Sequence, residues 1–350
     1  LLVENESKQW TPLQWLTKVD YSENDIREIV TNIIDCFVSY EIDKLMPCTF
    51  IPAQLVALIS YLPNQAFSHR YTDWIKQYTA KRDLEWLQVD NVNWQNVCRW
   101  QNDSLFEFLN AFCTNIDDLE SYNINVYAIK TILKGIALNI QSNQTDAWCI
   151  WLFDYFCSKV GLSPGSNLWN ALSLKKYEND CASTPAGIIW SLATDAFEEA
   201  SKDTKTAIVS RLLASKSECN WKLAIYLLRT YWQQGYSLIF NHLSKLFSAY
   251  TCHVELYKLL SLIQDFSESD RKNLKTAIEN ATFGITNHNQ IEDFQKSFYS
   301  VIDPLATDGD GGKDFFCLHA GVTIVDNPQS KTTHSPKDLF INGRLVENWV

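Results

Sequence analysis

Residues 22–38 read SENDIREIVTNIIDCFV, and the apolar positions Ile26, Ile29, Val30, Ile33, Ile34, Phe37 and Val38 recur in steps of three and four. That spacing lays one apolar stripe along a helix of 3.6 residues per turn. It does not suit a half-buried strand, whose faces alternate every second residue. Ser22, with Asp25 three residues on, offers an N-terminal cap in a short-acid form of the capping box, and the helix is expected to end near Pro47.

The pattern continues on both sides. Thr11 followed by Pro12 gives a cap and a first-turn proline. The first glycine is Gly135, so the long opening stretch lacks the usual residue of tight hairpins and is expected to be helical. Helices are predicted at Pro52 to Leu62, Tyr71 to Tyr78, Leu105 to Cys113, Val126 to Ile140 and Asp146 to Val160, the last closed by Gly161 and Pro164. Others are predicted at Pro185 to Ala200, Thr204 to Ala214, Trp221 to Gln233 (closed by Gly235), Leu238 to Tyr250, His253 to Ile263, Ser269 to Glu279 and Ile291 to Tyr299.

The expected fold is all-α: serial amphipathic helices over residues 1–300, forming a helical bundle or an α-solenoid, in two packing units divided near 161–185. Trp74, Trp148 and Trp221 fall at nearly equal intervals and suggest a repeat, although thirteen tryptophans supply such spacings by chance. No tetratricopeptide, ankyrin or leucine-rich signature is legible. After Tyr299 the texture changes: Gly309, Gly311 and Gly312 mark a linker. FFCL, VTIV and the Asn342-Gly343 turn signal then predict a small β-hairpin appendage in residues 301–350.

Composition narrows the partners. The chain has 350 residues, 46% hydrophobic and 13% aromatic, well above the content of chains that stay disordered. Its formal charge of −11 and pI near 5.0 set a field that repels phosphate backbones and anionic membranes. Basic residues come as pairs, such as Lys81-Arg82 and Arg271-Lys272, never as a run. Nucleic acid is therefore disfavoured, and no apolar run of about eighteen residues predicts a membrane span. Cys36, Cys113, Cys149 and Cys157 sit in apolar stretches as small hydrophobes, which points to a reducing, cytoplasmic setting. The sequons at Asn5, Asn102, Asn143 and Asn280 are no more than this abundance of Asn, Ser and Thr yields by chance.

Motifs for chemistry fail on their own spacing. From Asp308 an EF-hand reading needs glycine at Lys313 and a bidentate glutamate at His319. The same stretch lacks the first glycine and the magnesium-binding hydroxyl of a phosphate loop. Asp117, Asp118 and Glu120 lack the spacing that puts two carboxylates on one helical face. Cys317, His319 and His334 are the weak candidates for a metal site, with no second close pair beside them. No nucleophile elbow, zinc-protease helix, dinucleotide fingerprint or kinase set is present. No catalytic residue and no cofactor are assigned.

Trp86, Trp94 and Trp100 are the candidates for an interaction surface, since tryptophan anchors interfaces and KRDLEWLQVDNVNWQNVCRWQND has irregular periodicity. Packing between helices is the competing explanation. The chain starts at Leu1 and its single methionine is Met46, so an upstream effector region is expected. The functional expectation is a helical interaction, scaffold or sensor module of a larger intracellular protein, with protein as partner. The alternative is a cryptic enzyme or a small-ligand domain with a pocket between helices.

Overall fold

The computed structural model describes residues 16–39, 41–45, 50–114, 124–159, 185–263, 265–286 and 288–302, with short backbone segments at 322–326, 337–341 and 344–346. It is mostly helical. In chain order the helices are α1 (Asn24–Val38), α2 (Ile42–Leu45), α3 (Phe50–Tyr61), α4 (His69–Thr79), α5 (Trp94–Val97), α6 (Asn102–Cys113), α7 (Ile124–Ala137) and α8 (Thr145–Lys159). They continue with α9 (Pro185–Glu199), α10 (Lys202–Ala214), α11 (Glu218–Thr230), α12 (Trp232–Gly235), α13 (Leu243–Ser248), α14 (His253–Leu262), α15 (Glu268–Glu279) and α16 (His288–Ile302). Two compact units emerge, one drawn from 1–155 and 179–196, the other from 156–178 and 197–350. Among the described residues no helix is long and apolar enough to cross a membrane.

In the first unit α3 is apolar all round, and Ile51, Leu55, Val56, Leu58 and Ile59 are wholly buried, as a helix enclosed by neighbours must be. It packs against α1, α5 and the tight turns Leu84–Leu87 and Val89–Asn91. Those turns explain the irregular periodicity of this stretch, because the segment they begin seals the end of α3. The Asn96 amide donates to the carbonyls of Ser60 and Leu62, both at 2.9 Å, and the Trp100 indole donates to Leu62 at 3.0 Å. These carbonyls are among the acceptors that a helix leaves open at its C-terminus.

Trp94 and Trp100 then pack with Phe67, Phe108 and Phe112, with ring centroids 4.8 to 6.2 Å apart. Gly135 of α7 makes room for this cluster: a Cβ there would lie 2.5 Å from Trp94 Cδ1. In an open helix Gly→Ala stabilises by up to about 1 kcal/mol, but overpacking a buried ring costs about 1–3 kcal/mol. Gly135→Ala is expected to destabilise by roughly 1–2 kcal/mol on balance, read as a lower urea midpoint. A rise would show that Trp94 moves freely.

In the second unit α10 packs on α11, α11 on α14, and α14 and α15 on α16. The core holds Ile208, Leu212, Leu223, Leu227, Leu256, Leu260, Leu274 and Phe298. Ser201 and Ser267 cap α10 and α15 by accepting from the Thr204 and Asp270 N–H groups. Arg271 Nη1 donates to the Ile302 carbonyl at 2.9 Å, closing the end of α16.

Several expectations change. Helix α1 ends at Val38, well before Pro47, and its N-cap is Glu23. The Ser22 N–H is held by Asp20 Oδ1 at 2.8 Å, a local turn that moves the helix start one residue on. Ile29 is 56% exposed, so the buried stripe is the narrower set Val30, Ile34 and Phe37. Cys36 is exposed rather than buried. The helix predicted from Leu238 to Tyr250 is a 3-10 run, Tyr236–His242, followed by the short α13. Ser237 and Asn241 compete for backbone hydrogen bonds there, and aromatic and β-branched neighbours are weak helix formers.

After Ile302 three strands, β1 (Val322–Asp326), β2 (Lys337–Ile341) and β3 (Arg344–Val346), pair antiparallel in that order, with Ile324 opposite Leu339 and Phe340 opposite Leu345. The Thr11-Pro12 cap, the expected division at 161–185 up to Pro185, the linker glycines and the Asn342-Gly343 turn lie outside the described residues.

Candidate functional site

The most concentrated chemistry lies on one face of α11. Cys219, Lys222, Tyr226 and Arg229 follow one another by three, four and three residues, so they share a stripe, and that stripe meets Cys252 and Glu255 at the start of α14. Glu255 is fully buried and accepts from Arg229 Nη1 at 2.8 Å. Arg229 also lies over the Tyr226 ring, 5.6 Å from its centroid. Lys222 is 2% exposed. Burial lowers its pKa, and the Glu255 carboxylate is the largest of the groups opposing that fall.

Burial holds the neighbouring groups neutral. The Cys252 thiol is pushed up to about 12 by burial, and its Sγ rests 3.8 Å from the Glu218 carbonyl. Cys219 is raised by the same cause, against the pull of Lys222, and Tyr226 by burial and then Glu255. Thiols shifted this way are poor nucleophiles at neutral pH. The network's effect is therefore to lock α11 onto α14 and to fix the guanidinium of Arg229.

Arg229 also opens onto the surface. The chain leaves α11 at Thr230, turns at Tyr231 and enters the short α12. This reversal faces the first turn of α10 and leaves a cleft of about 470 Å³ open to solvent. The cations of Lys202, Lys205 and Arg229 line it, with Tyr231, Trp232 and the amides of Gln233 and Gln234. Gly235 lets the Tyr231 ring fold close, since a Cβ would fall 2.3 Å from its Cε2. The Tyr231 hydroxyl in turn donates to the Lys205 carbonyl at 3.4 Å.

The three cations are not equivalent. Lys205 Nζ donates to the Glu198 carbonyl at 2.8 Å and lies over the Phe197 ring, so it is positioned but not neutralised. Lys202 is exposed and makes no ion pair with any described residue. Arg229 shares its charge with Glu255, while its Nε has no hydrogen-bond partner. The cleft can therefore offer two lysine charges and spare guanidinium donors to an anion.

The residues singled out from sequence are placed differently. Trp94 and Trp100 are 7% and 3% exposed and pack in the core of the first unit. Trp86 lies in the Leu84–Leu87 turn and its side chain is outside what is described, while Cys317, His319 and His334 fall outside the described residues altogether. Among the described residues no group of three His, Cys, Asp or Glu could hold a metal ion. Cys252 and His253, adjacent in sequence, face different surroundings: His253 Nε2 meets the Phe247 carbonyl at 3.0 Å among aromatic rings.

One further polar cluster lies in the first unit, where Glu107 accepts from Thr72 Oγ1 and pairs with His69 Nδ1, both at 2.6 Å. The Glu107 hydrogen bond raises the His69 pKa, but the imidazole is 86% exposed, and the trio serves to tie α4 to α6.

Sequence reasoning missed Lys202, Lys205, Lys222, Arg229, Trp232 and Glu255. Lys222 and Glu255 carried a readable signal, because each sits amid apolar residues, NWKLAI and HVELYKLL, where a charge interrupts a buried face. No protein-family model matches the chain, and no curated protein matches it in sequence.

Proposed function

We propose that this chain is a helical recognition module, a scaffold or sensor within a larger intracellular protein, and that it recognises an anionic group through the cationic cleft of the second unit. The observation that supports this is the union of a buried charge network with an open cleft. Glu255 fixes Arg229 from below, and the Glu198 carbonyl and the Phe197 ring fix Lys205. Side chains held before binding lose little entropy when the ligand arrives. On a chain of net charge −11 the cleft is a local reversal of sign, so it selects against the protein's own surface and for an acidic partner.

Among the described residues Cys36, Cys98, Cys219 and Cys252 are thiols outside any disulfide, in keeping with a reducing, cytoplasmic location. We read the strands after Ile302 as a small β appendage to the helical array. The cleft also favours the small-ligand alternative over a flat protein-docking face, since its volume suits a small molecule.

The test is a titration of the purified chain with inorganic pyrophosphate at low and high salt. Binding that weakens with salt, and that falls about tenfold in the Lys202→Glu, Lys205→Glu double variant, is the expected result. Turnover of nucleotides or phosphoesters that disappears with the same variant would replace recognition by catalysis.

A further inference from the structure

We infer that the cleft of the second unit takes a phosphate-bearing ligand with a planar ring, of the size of a nucleotide, its phosphates on Lys202, Lys205 and Arg229 and its ring on Trp232. This rests on the anion-recognition reading above and adds the chemical class.

Four features of the cleft carry it. The volume, about 470 Å³, lies in the range of small-molecule sites and is too small for a folded partner's surface. The cations are spread over two helices, α10 and the end of α11, so they suit a chain of phosphates better than one carboxylate. Arg229 commits Nη1 to Glu255 while its side chain stays 29% exposed in the cleft lining, so the guanidinium keeps further N–H donors for a phosphate oxygen.

The fourth feature is aromatic. Trp232 is half-buried at the cleft wall beside Tyr231, whose ring is held by Phe197 at 5.6 Å and by the gap at Gly235. An indole over part of its face is a stacking surface for a flat heterocycle. Such stacking contributes about 1–3 kcal/mol and tolerates any base. The amides of Gln233 and Gln234 supply both donors and acceptors for ring edges or sugar hydroxyls. A carboxylate-rich peptide would use the cations and leave the ring idle.

Equilibrium dialysis of the full chain against ATP, pyrophosphate and adenosine tests the assignment. ATP is expected to bind about tenfold more tightly than pyrophosphate, and adenosine more weakly than either. Trp232→Ala should erase the advantage of ATP over pyrophosphate, and Trp232→Phe, which keeps a ring, should restore most of it. Lys202→Glu with Lys205→Glu should weaken ATP and pyrophosphate alike by about tenfold. Equal affinity for ATP and pyrophosphate, or an ATP affinity indifferent to Trp232→Ala in a variant that melts like the wild type, overturns the nucleotide assignment and leaves the anion cleft standing. Binding of a polyglutamate peptide without ATP binding does the same. Failure of every anion to bind overturns both.

Discussion

Glu255→Ala is expected to destabilise the second unit by about 3–5 kcal/mol, because removing one partner of a buried ion pair strands the other. The carboxylate is fully buried and is the acceptor for Arg229 Nη1, while Arg229 Nε is already without a partner. Lys222, 2% exposed on the same stripe of α11, loses the carboxylate that most opposes the fall in its pKa. Glu255→Gln keeps the volume and removes the charge, so it should lose most of the same stability. Arg229→Met combined with Glu255→Met should recover much of it, since apolar replacements of both partners leave no stranded charge. The sign with pH is also fixed. The folded pKa of Lys222 lies below its ordinary 10.5, so between the two values the unfolded chain holds the extra proton and stability rises with pH. Loss of Glu255 widens that interval, and the deficit of Glu255→Ala should shrink on the alkaline side. Urea unfolding across pH measures both effects. A loss under about 1 kcal/mol would show the pair to be hydrated like a surface bridge.

The same helix shows why the fold was readable in sequence and the site was not. A stripe such as Val30, Ile34 and Phe37 declares itself by its period, and helices α4, α6, α10 and α15 start within three residues of where periodicity and caps set them. Helix α11 gives no such stripe, because Lys222, Leu223, Ala224, Ile225, Leu227 and Leu228 are all buried. In a helix enclosed on every side a polar stripe is masked by apolar neighbours, and its meaning appears only when Glu255 arrives from α14. The cleft is harder still: Lys202, Lys205, Arg229 and Trp232 lie on three helices, and they converge because the chain reverses at Tyr231, a residue with no turn signature. For Trp94 and Trp100 the sequence left two readings, packing between helices and an interaction surface, and their burial agrees with packing. Broken periodicity suggested exposure, whereas short turns can bury a ring as fully as a helix does, provided side chains such as Asn96 satisfy the backbone they cover.

Stability of the second unit is expected to fall by roughly 3 kcal/mol as pH drops from above 6.5 to about 4, through His253 alone. The imidazole is 2% exposed, with Phe283, Phe294 and Phe298 at 5.4, 5.1 and 6.3 Å and Tyr250 at 5.6 Å. Phe283 reaches this box from a left-handed backbone position (φ 53°), followed by Gly284 at φ 63°, where a Cβ would lie 2.9 Å from the Ser248 carbonyl. Nε2 faces the Phe247 carbonyl, which only accepts, so the neutral ring carries its proton there and Nδ1 is left bare. Protonating Nδ1 would place a donor and a charge in a box with no acceptor. Burial therefore pushes the pKa down to about 4, outweighing the Phe247 hydrogen bond that pulls it up. Between 6.5 and 4 the unfolded chain takes up the proton and the folded chain does not. The contribution is complete above 6.5, declines through this window and is flat below it. Carboxylates and His69 titrate in the same range, so the measurement is a difference: urea midpoints of wild type and His253→Phe at each pH. The wild-type midpoint should fall relative to that of His253→Phe as pH drops from 6.5 to 4. Curves that stay parallel would mean that His253 titrates alike in both states, in which case the box admits water.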